Sequence, residues 1–388
     1  MEVSSATSMT VEPSETALTS GSVREPQGIG VSPYSLFCTV RYFFNLVTNG
    51  WFSYVNPDSS SMALLAKEGK ITVEPVASEK IEAVRVLFLG DIMVSKTGEP
   101  PRISEDLRRV LKQADLIVAN VEAPVVSGKG NKKRGLSLSF EMDGQFLKEI
   151  QKVNEKALWV FSIANNHACD NSKTNDHEGV MQTIASIKQA IPNGVVIGAD
   201  VEGAHSLLSI VLPGGAKIGI IGWTELMNHD ARHFKKPIVR KEDVTPERVE
   251  EMKGKHAVLI GFPHGNEEQS YQPLKEVRDR WRLLLGKERF DLIVGHGPHV
   301  AQVGELLNER VVFHSIGNFC SPVGKTQTKV GMIPEVTLTF GRNALLSMNY
   351  HVHLIEQKED GIGLVQNQGF YPDIMARLKR IWPSLFQL

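Results

Sequence analysis

Short apolar runs separated by amphipathic stretches dominate the chain from about Ile81 onward. This alternation is typical of a layered α/β domain. The predicted strands are Val84–Leu89, Leu116–Ala119, Leu158–Ile163, Val195–Ile197, Leu207–Val211, Ile218–Gly222, Ala257–Gly261, Leu292–Val294, Val311–His314 and Val336–Phe340. The predicted helices are Ser104–Gln113, Gln145–Val153, His177–Ala190, Leu274–Leu285 and Pro372–Ile381. These elements suffice for two sheets whose outer faces are covered by helices.

Polar side chains follow five of the apolar runs. They are Asp91, Asn120 and Glu122, the group Asn165, Asn166, His167 and Asp170, then His264, and finally His296 and His299 in the string GHGPH. In open α/β sheets the chemistry lies at the carboxyl ends of strands, so these side chains are expected to share one site. Imidazole, amide and carboxylate groups suit divalent cations. We therefore predict a metal centre.

A hydrolytic two-metal centre needs ligands, a bridging carboxylate and a proton donor. Asp91 supplies a hard oxygen, Glu122 would bridge two cations, and His167 would stabilise or protonate the leaving group. Each residue also has a structural interpretation. Asp91 is compatible with a turn or cap, Glu122 with a solvated carboxylate before a proline turn, the adjacent asparagines with an Asx turn, and His264 with a core or surface histidine.

Composition narrows the choice of partners. The 388 residues contain 41% hydrophobic and 22% charged residues, and 43 basic side chains balance 44 acidic ones. A chain so close to neutrality does not favour nucleic acid as a partner. The three cysteines indicate no disulfide framework. The basic stretch 127–139 could meet an anionic substrate, or it could be a solvated loop, and Lys96, Asn120 and Asn165 are candidate substrate contacts.

The region before residue 81 is divided into two parts. Residues 1–30, rich in Ser, Thr, Glu and Pro, are expected to be disordered, and residues 31–80 form an aromatic extension and linker before the domain at 81–388. No signal peptide is recognised, so a cytoplasmic location is expected, with membrane association as an alternative. For Pro33–Val55 three interpretations stay open: a helix packed on the domain, an interfacial helix, and a membrane span disfavoured by Arg41 and Asn45.

Seven segments together resemble the bacterial capsule-synthesis family, the CapA-like branch of the calcineurin-type metallophosphoesterase superfamily. They are LGDIM at 89–93, ADLIVANVEAP at 114–124, SIANNHACD at 162–170, VVIGAD at 195–200, HGNE at 264–267, DLIVGHGPHV at 291–300 and HSIGNF at 314–319. The resemblance implies a four-layer α/β/β/α sandwich. It implies Asp91, Glu122, Asn166, His264, His296 and His299 as metal ligands and His167 as the acid. Met93 stands where the wider superfamily has a histidine.

Three functions are compatible with this pattern. The first is a metal-dependent, phosphoesterase-like hydrolase that acts on an anionic small molecule or polymer through two divalent ions, Mn, Fe or Zn. The second is a poly-γ-glutamate synthesis, anchoring or processing protein. The third is a non-catalytic scaffold that attaches to a membrane or a partner through residues 33–55. Bound metal would separate the scaffold from the other two.

Overall fold

The computed structural model describes most of the chain from residue 62 onward and two short segments before it. The described residues are 4–5, 9–12, 62–72, 81–95, 97–128, 132–134, 139–170, 176–228, 237–265, 268–322, 326–341, 343–359, 361–366 and 371–386. The predictions for residues 33–55, for Lys96 and for most of residues 1–30 therefore lie outside the described residues. Among the residues that are described, no helix combines the length and apolar character needed to cross a membrane.

The strands and helices of the described ranges alternate along the chain. The strands are β1 Ser4–Ser5, β2 Thr10–Glu12, β3 Glu68–Thr72, β4 Glu82–Ile92, β5 Arg102–Ile103, β6 Leu116–Val121, β7 Val125–Val126, β8 Lys132–Arg134, β9 Ser139–Asp143, β10 Leu158–Ser162, β11 Val195–Ile197, β12 Leu208–Val211, β13 Lys217–Thr224, β14 Val258–His264, β15 Leu292–Val294, β16 Gly304–Leu307, β17 Arg310–Phe313, β18 Asn318–Cys320, β19 Val330–Gly341, β20 Ala344–Gln357 and β21 Gly361–Leu364. The helices are α1 Glu105–Leu111, α2 Gly144–Gln151, α3 Asp176–Ala190, α4 Pro246–Lys253, α5 Lys275–Leu284 and α6 Pro372–Ile381.

Two large sheets organise these strands. The first has the order β11-β10-β6-β4-β19-β20-β21-β5, with β1 and β18 also paired to β4 and β3 paired to β20. The second has the order β16-β17-β15-β14-β13-β12-β2. Strands β4, β6, β10 and β11 are parallel in the first sheet, and β13, β14, β15 and β17 are parallel in the second. Each sheet therefore presents several carboxyl strand ends at one edge.

The apolar side chains form three layers of packing. Between the sheets, the rings of Phe88 on β4 and Phe262 on β14 lie 6.0 Å apart within a large buried cluster. On the outer face of the first sheet, Leu107 of α1 and Ile187 of α3 are buried against it. On the outer face of the second sheet, Trp281 of α5 is buried. Since alternate strand residues point to opposite faces, both sheets have two apolar faces to cover, and the predicted α/β/β/α sandwich is confirmed.

The sheet reaches beyond the predicted start of the domain. Strand β3, Glu68–Thr72, was assigned to the linker in the sequence, and it pairs antiparallel with β20. Leu65 lies in the core between the sheets. The described part of the extension therefore packs against the layered domain, while the proposed boundaries at residues 30 and 80 stay predictions.

Candidate metal centre

The predicted ligands lie at the shared edge of the two sheets. Asp91 is the penultimate residue of β4, Glu122 follows β6, and Asn166 follows β10, all in the first sheet. His264 ends β14, and His296 follows β15, both in the second sheet. All five side chains are at most 2% exposed. The cluster is therefore buried, and each sheet contributes to it.

Two groups of donor atoms share Asp91. Atoms of Asp91, His264 and His296 lie within 4.8 Å of one another, and so do atoms of Asp91, Glu122 and His299. Two adjacent groups with a common carboxylate provide two neighbouring positions for a cation. The common residue is Asp91, and the bridging role predicted for Glu122 stays a prediction.

Asp91 is oriented by a bulge at the end of β4. The pairing of β4 with β6 shifts register between Leu89 and Asp91. A side chain at Gly90 would place its Cβ 1.8 Å from the carbonyl oxygen of Gly317, so the close approach of these backbones requires glycine. The Asp91 amide donates to that same carbonyl at 3.1 Å. The bulge thereby aims the carboxylate at the second sheet.

The Asp91 carboxylate is surrounded by donors. Its oxygens lie 3.4 Å from His296 Nδ1 and 3.2 Å from His299 Nδ1, and they accept hydrogen bonds from Asn120 Nδ2 at 2.9 Å and from the Gly297 amide at 3.2 Å. Burial alone would raise the pKa of Asp91, but the hydrogen bonds from His296 and His299 hold it well below its usual value. Asp91 is therefore ionised and can act as a hard ligand.

The imidazoles face one another as ligands of one cation do. Nδ1 of His264 and Nδ1 of His296 are 3.1 Å apart. Burial, and then the neighbouring His296, lower the pKa of His264 well below its usual value, which favours the neutral form that binds metal. Burial alone would lower the pKa of His299, but the charges of Glu122 and Asp91 raise it well above its usual value. The two carboxylates therefore favour the protonated form of His299 in the absence of a cation.

Several buried acceptors of the site lack a hydrogen-bond partner within the described part of the chain. They are both carboxylate oxygens of Glu122, Oδ1 of Asn166 and Nε2 of His296. The nitrogens His264 Nε2 and His299 Nε2 lie 3.8 and 3.6 Å from Glu122 Oε1. Burial, and then the charge of Asp91, raise the pKa of Glu122 well above its usual value. Buried polar groups are normally satisfied, so these unsatisfied acceptors fit a divalent cation.

His167 lies beside the ligands and is held by a carboxylate. Its Nδ1 lies 2.7 Å from Asp170 Oδ2, and its ring makes a T-shaped contact with the ring of Phe140. Its backbone amide donates to Asn165 Oδ1 at 3.1 Å. These contacts fix the ring and commit Nδ1 to the carboxylate, which leaves Nε2 as the nitrogen able to exchange a proton.

Asn120 and Asn165 are the two predicted substrate contacts that the structure describes, and their amides form a hydrogen-bonded chain that leads to Asp91. Asn120 is fully buried and donates to Asp91, and Asn165 Nδ2 donates to Asn120 Oδ1 at 3.2 Å and to the Val121 carbonyl at 2.8 Å. The chain of amides therefore orients the carboxylate, and contact of these residues with a substrate stays a prediction.

Three further residues, which the sequence pattern did not indicate, lie at the site. Asn318 Oδ1 accepts from His299 Nδ1 at 3.0 Å, and Asn228 Oδ1 accepts from Asn166 Nδ2 at 3.2 Å. The negative charge of Glu268 contributes to the raised pKa values of Glu122 and His299. Asn318 lies in the string HSIGNF, which signalled its position, whereas Asn228 follows an ordinary strand end and had no comparable signal.

The layered fold and this buried cluster define a class of protein: an α/β/β/α domain whose buried carboxylate and imidazole groups could hold metal. The family model of the bacterial capsule synthesis protein PGA_cap matches residues 85–323. The chain therefore belongs to this family.

Two relatives and two solved structures are similar to the chain. The PGA biosynthesis protein CapA of Bacillus subtilis (strain 168) is 26% identical over 277 residues, which cover 67% of this chain and 69% of the relative. The capsule biosynthesis protein CapA of Bacillus anthracis is 24% identical over 292 residues, which cover 71% and 69%. The calcineurin-like phosphoesterase YfkN from Bacillus subtilis has a TM-score of 0.39 and 11% identity, and covers 77% of this chain and 96% of its own. The 5'-nucleotidase from Candida albicans SC5314 has a TM-score of 0.37 and 9% identity, and covers 81% and 59%.

Proposed function

We propose that the protein is a metal-dependent hydrolase of phosphoesterase type that acts on an anionic substrate through two divalent cations, Mn, Fe or Zn. The observation that carries the proposal is the pair of donor groups that share Asp91. The unsatisfied oxygens of Glu122, a member of the second group, support it, because a buried carboxylate without a partner is costly unless a cation binds it.

The proposed reaction assigns separate roles to the residues of the site: holding the cations, donating a proton and positioning the shared carboxylate. Asp91, Glu122, Asn166 and the histidines His264, His296 and His299 would hold the cations. When bound, the cations supply Lewis-acid stabilisation of charge on the substrate and lower the pKa of water. His167 would donate a proton from Nε2 to the leaving group, since Asp170 holds Nδ1. The asparagine chain through Asn120 keeps the shared carboxylate in place.

A second candidate function is the processing or handling of a capsule polymer such as poly-γ-glutamate. Family membership and the names of the two relatives support it. The polymer carries one carboxylate per residue, and carboxylate oxygens are ligands that a centre of two divalent cations can bind. In this version the metal binds the polymer without rapid hydrolysis.

One experiment distinguishes these functions. The full chain is depleted of metal, reloaded with Mn²⁺, Fe²⁺ or Zn²⁺, assayed for bound metal by elemental analysis, and then offered phosphomonoesters, phosphodiesters and polyglutamate. The hydrolase requires turnover that depends on metal and falls about 10²–10⁴-fold in His167→Gln, with bound metal retained. Polyglutamate binding that is lost on chelation, without turnover of the esters, supports the second function. If the protein binds no metal under any loading condition, both the hydrolase and the polymer-handling function are refuted. The non-catalytic scaffold is then the remaining function.

A further inference from the structure

A second group of histidines and carboxylates lies on the outer face of the first sheet, away from the metal centre. His351 and His353 are two residues apart on β20, so both side chains leave the same face of the strand. Their ring centroids are 4.5 Å apart. In this part of the sheet the face is polar, and Glu68, Lys70, Glu335, Thr337, Asn349 and His351 line a groove of about 470 Å³.

The pairing of three strands surrounds these histidines with carboxylates. His351 pairs directly with Glu68 of β3 on one side and with Glu335 of β19 on the other. His351 Nδ1 lies 3.2 Å from Glu68 Oε2, and His353 Nε2 lies 2.8 Å from Glu335 Oε2. Each imidazole therefore has one nitrogen held by a carboxylate.

The remaining nitrogens are available. His351 Nε2 and His353 Nδ1 form no hydrogen bond with any other described residue. Metal-binding histidines characteristically give their second ring nitrogen to a carboxylate, which fixes the ring and makes the other nitrogen a better ligand. Both histidines already have this support.

We propose that His351 and His353 form a two-histidine chelate for a divalent transition-metal ion such as Zn²⁺, Ni²⁺ or Cu²⁺, separate from the metal centre. Imidazole nitrogen is the ligand these ions share, and the groove lined by His351 leaves the other coordination positions to water or to a ligand from outside. Glu335 orients His353 and is not itself a ligand, because Arg85 Nε lies 3.2 Å from its other oxygen.

The two sites are distinct in position. Glu335 pairs with Leu87 of β4, which precedes Asp91 by four residues. At about 3.3 Å per residue this separates the two levels of the sheet by roughly 13 Å, and β20 lies two strands from β4. The exposed fractions also differ, since the side chains of His351 and His353 are 35% and 15% exposed and that of Asp91 is fully buried. An ion on the outer face would therefore be readily exchanged.

The test compares zinc binding by the full chain and by its variants. Wild type and the double variant His351→Ala/His353→Ala are titrated with Zn²⁺ by calorimetry, and bound zinc is counted by equilibrium dialysis against buffer that contains free Zn²⁺. We expect the double variant to bind one equivalent of zinc fewer than wild type, while the zinc bound at the metal centre remains. Glu335→Gln should weaken this equivalent about tenfold because it loosens His353. Asn349→Ala, on the same face, is the matched control and should change nothing.

A second readout does not depend on stoichiometry. Diethylpyrocarbonate modification of each histidine is mapped by mass spectrometry with and without Zn²⁺. Binding should protect His351 and His353 in wild type, even if the double variant fails to fold. Equal zinc content in wild type and a folded double variant, or modification rates of the two histidines unchanged by Zn²⁺, would overturn the proposal and leave two surface ion pairs.

Discussion

Replacing Glu122 with glutamine should change the stability of the metal-free and metal-loaded protein in opposite directions. Both carboxylate oxygens of Glu122 are buried without a hydrogen-bond partner among the described residues, and Asp91 adds a like charge nearby. A buried polar group without a partner costs about 1–3 kcal/mol. Glutamine removes the charge, keeps the shape and can donate to Asp91, so the metal-free variant should be more stable than wild type by about that amount.

Metal should reverse this order. At a metal concentration of 100 times Kd, wild type gains about 2.7 kcal/mol of stability. If the amide weakens binding about 100-fold, the same concentration stabilises the variant by only about 0.4 kcal/mol. At roughly 2–4 °C per kcal/mol for domains of 150–250 residues, the metal-induced rise in Tm should fall from about 5–11 °C to about 1–2 °C.

The pH dependence of the metal-free protein provides a further check. Burial raises the pKa of Glu122 above its ordinary value of 4.5, so its ionisation destabilises the folded state as the pH rises through the folded pKa. The advantage of Glu122→Gln should therefore disappear below about pH 4.5 and grow as the pH increases.

Thermal unfolding followed by circular dichroism, with EDTA or with Mn²⁺ or Zn²⁺, measures all three effects. Glu149→Gln is the matched control, because Glu149 is a partly exposed glutamate of α2 that is paired with Lys152, away from the metal centre. It should leave the metal-induced rise in Tm unchanged. A metal-free Glu122→Gln protein less stable than wild type, or one with the full metal-induced rise, would refute the reasoning.

Three further predictions test the shared carboxylate, the turn after β15 and the support beneath the second sheet. Asp91→Asn should reduce bound metal in both donor groups, measured by elemental analysis, because both contain Asp91; loss of only one equivalent would contradict the sharing. Gly297→Ala should cost about 1–3 kcal/mol in urea unfolding and weaken metal binding, since Gly297 has a φ of 106° and an added Cβ would lie 2.9 Å from a backbone carbonyl. Glu305→Gln should cost about 3–5 kcal/mol, because Glu305 is buried and paired with Arg278 at 2.7 Å and His314 at 2.6 Å. Burial would raise the pKa of Glu305, but the hydrogen bonds from His314 and Arg278 lower it. The ionised Glu305 therefore stabilises the folded protein above about pH 4.5, and this stabilisation is lost as the pH falls through the folded pKa. The urea midpoint of Glu305→Gln should accordingly depend less on acid pH than that of wild type.

The sequence predicted the strands of the parallel core because their apolar runs are local signals. Val195–Ile197 and Leu292–Val294 have the predicted bounds. Strand β20 was not predicted, since one of its faces carries Asn349, His351 and His353, and its position depends on pairing with β19. Helix α4 was missed as well, because the segment PERVEEMK has few apolar residues, although Thr245 caps it.

The strand ends identified the elements of the metal centre but not its internal geometry. The sequence pattern predicted a bridging role for Glu122, which stays a prediction, and it did not indicate that Asp91 is the residue common to both donor groups. That arrangement depends on the register shift at the end of β4 and on the approach of Gly317 to Gly90, more than 200 residues away in the sequence. No local pattern encodes such a contact, so the shared carboxylate could be found only from the packed sheets.

The position of the centre couples metal binding to the packing of the two sheets. Asp91 belongs to the first sheet, and it contacts His296, Gly297 and His299 from the second. Without a cation, this junction holds a low-pKa carboxylate beside a second carboxylate whose ionisation is unfavourable. A divalent cation would neutralise both and join the sheet edges through ligands of each, because its binding free energy adds to that of folding. The residues that would bind metal are therefore also residues at which the two sheets meet. Removing the metal should loosen the sheet junction before it unfolds the helices.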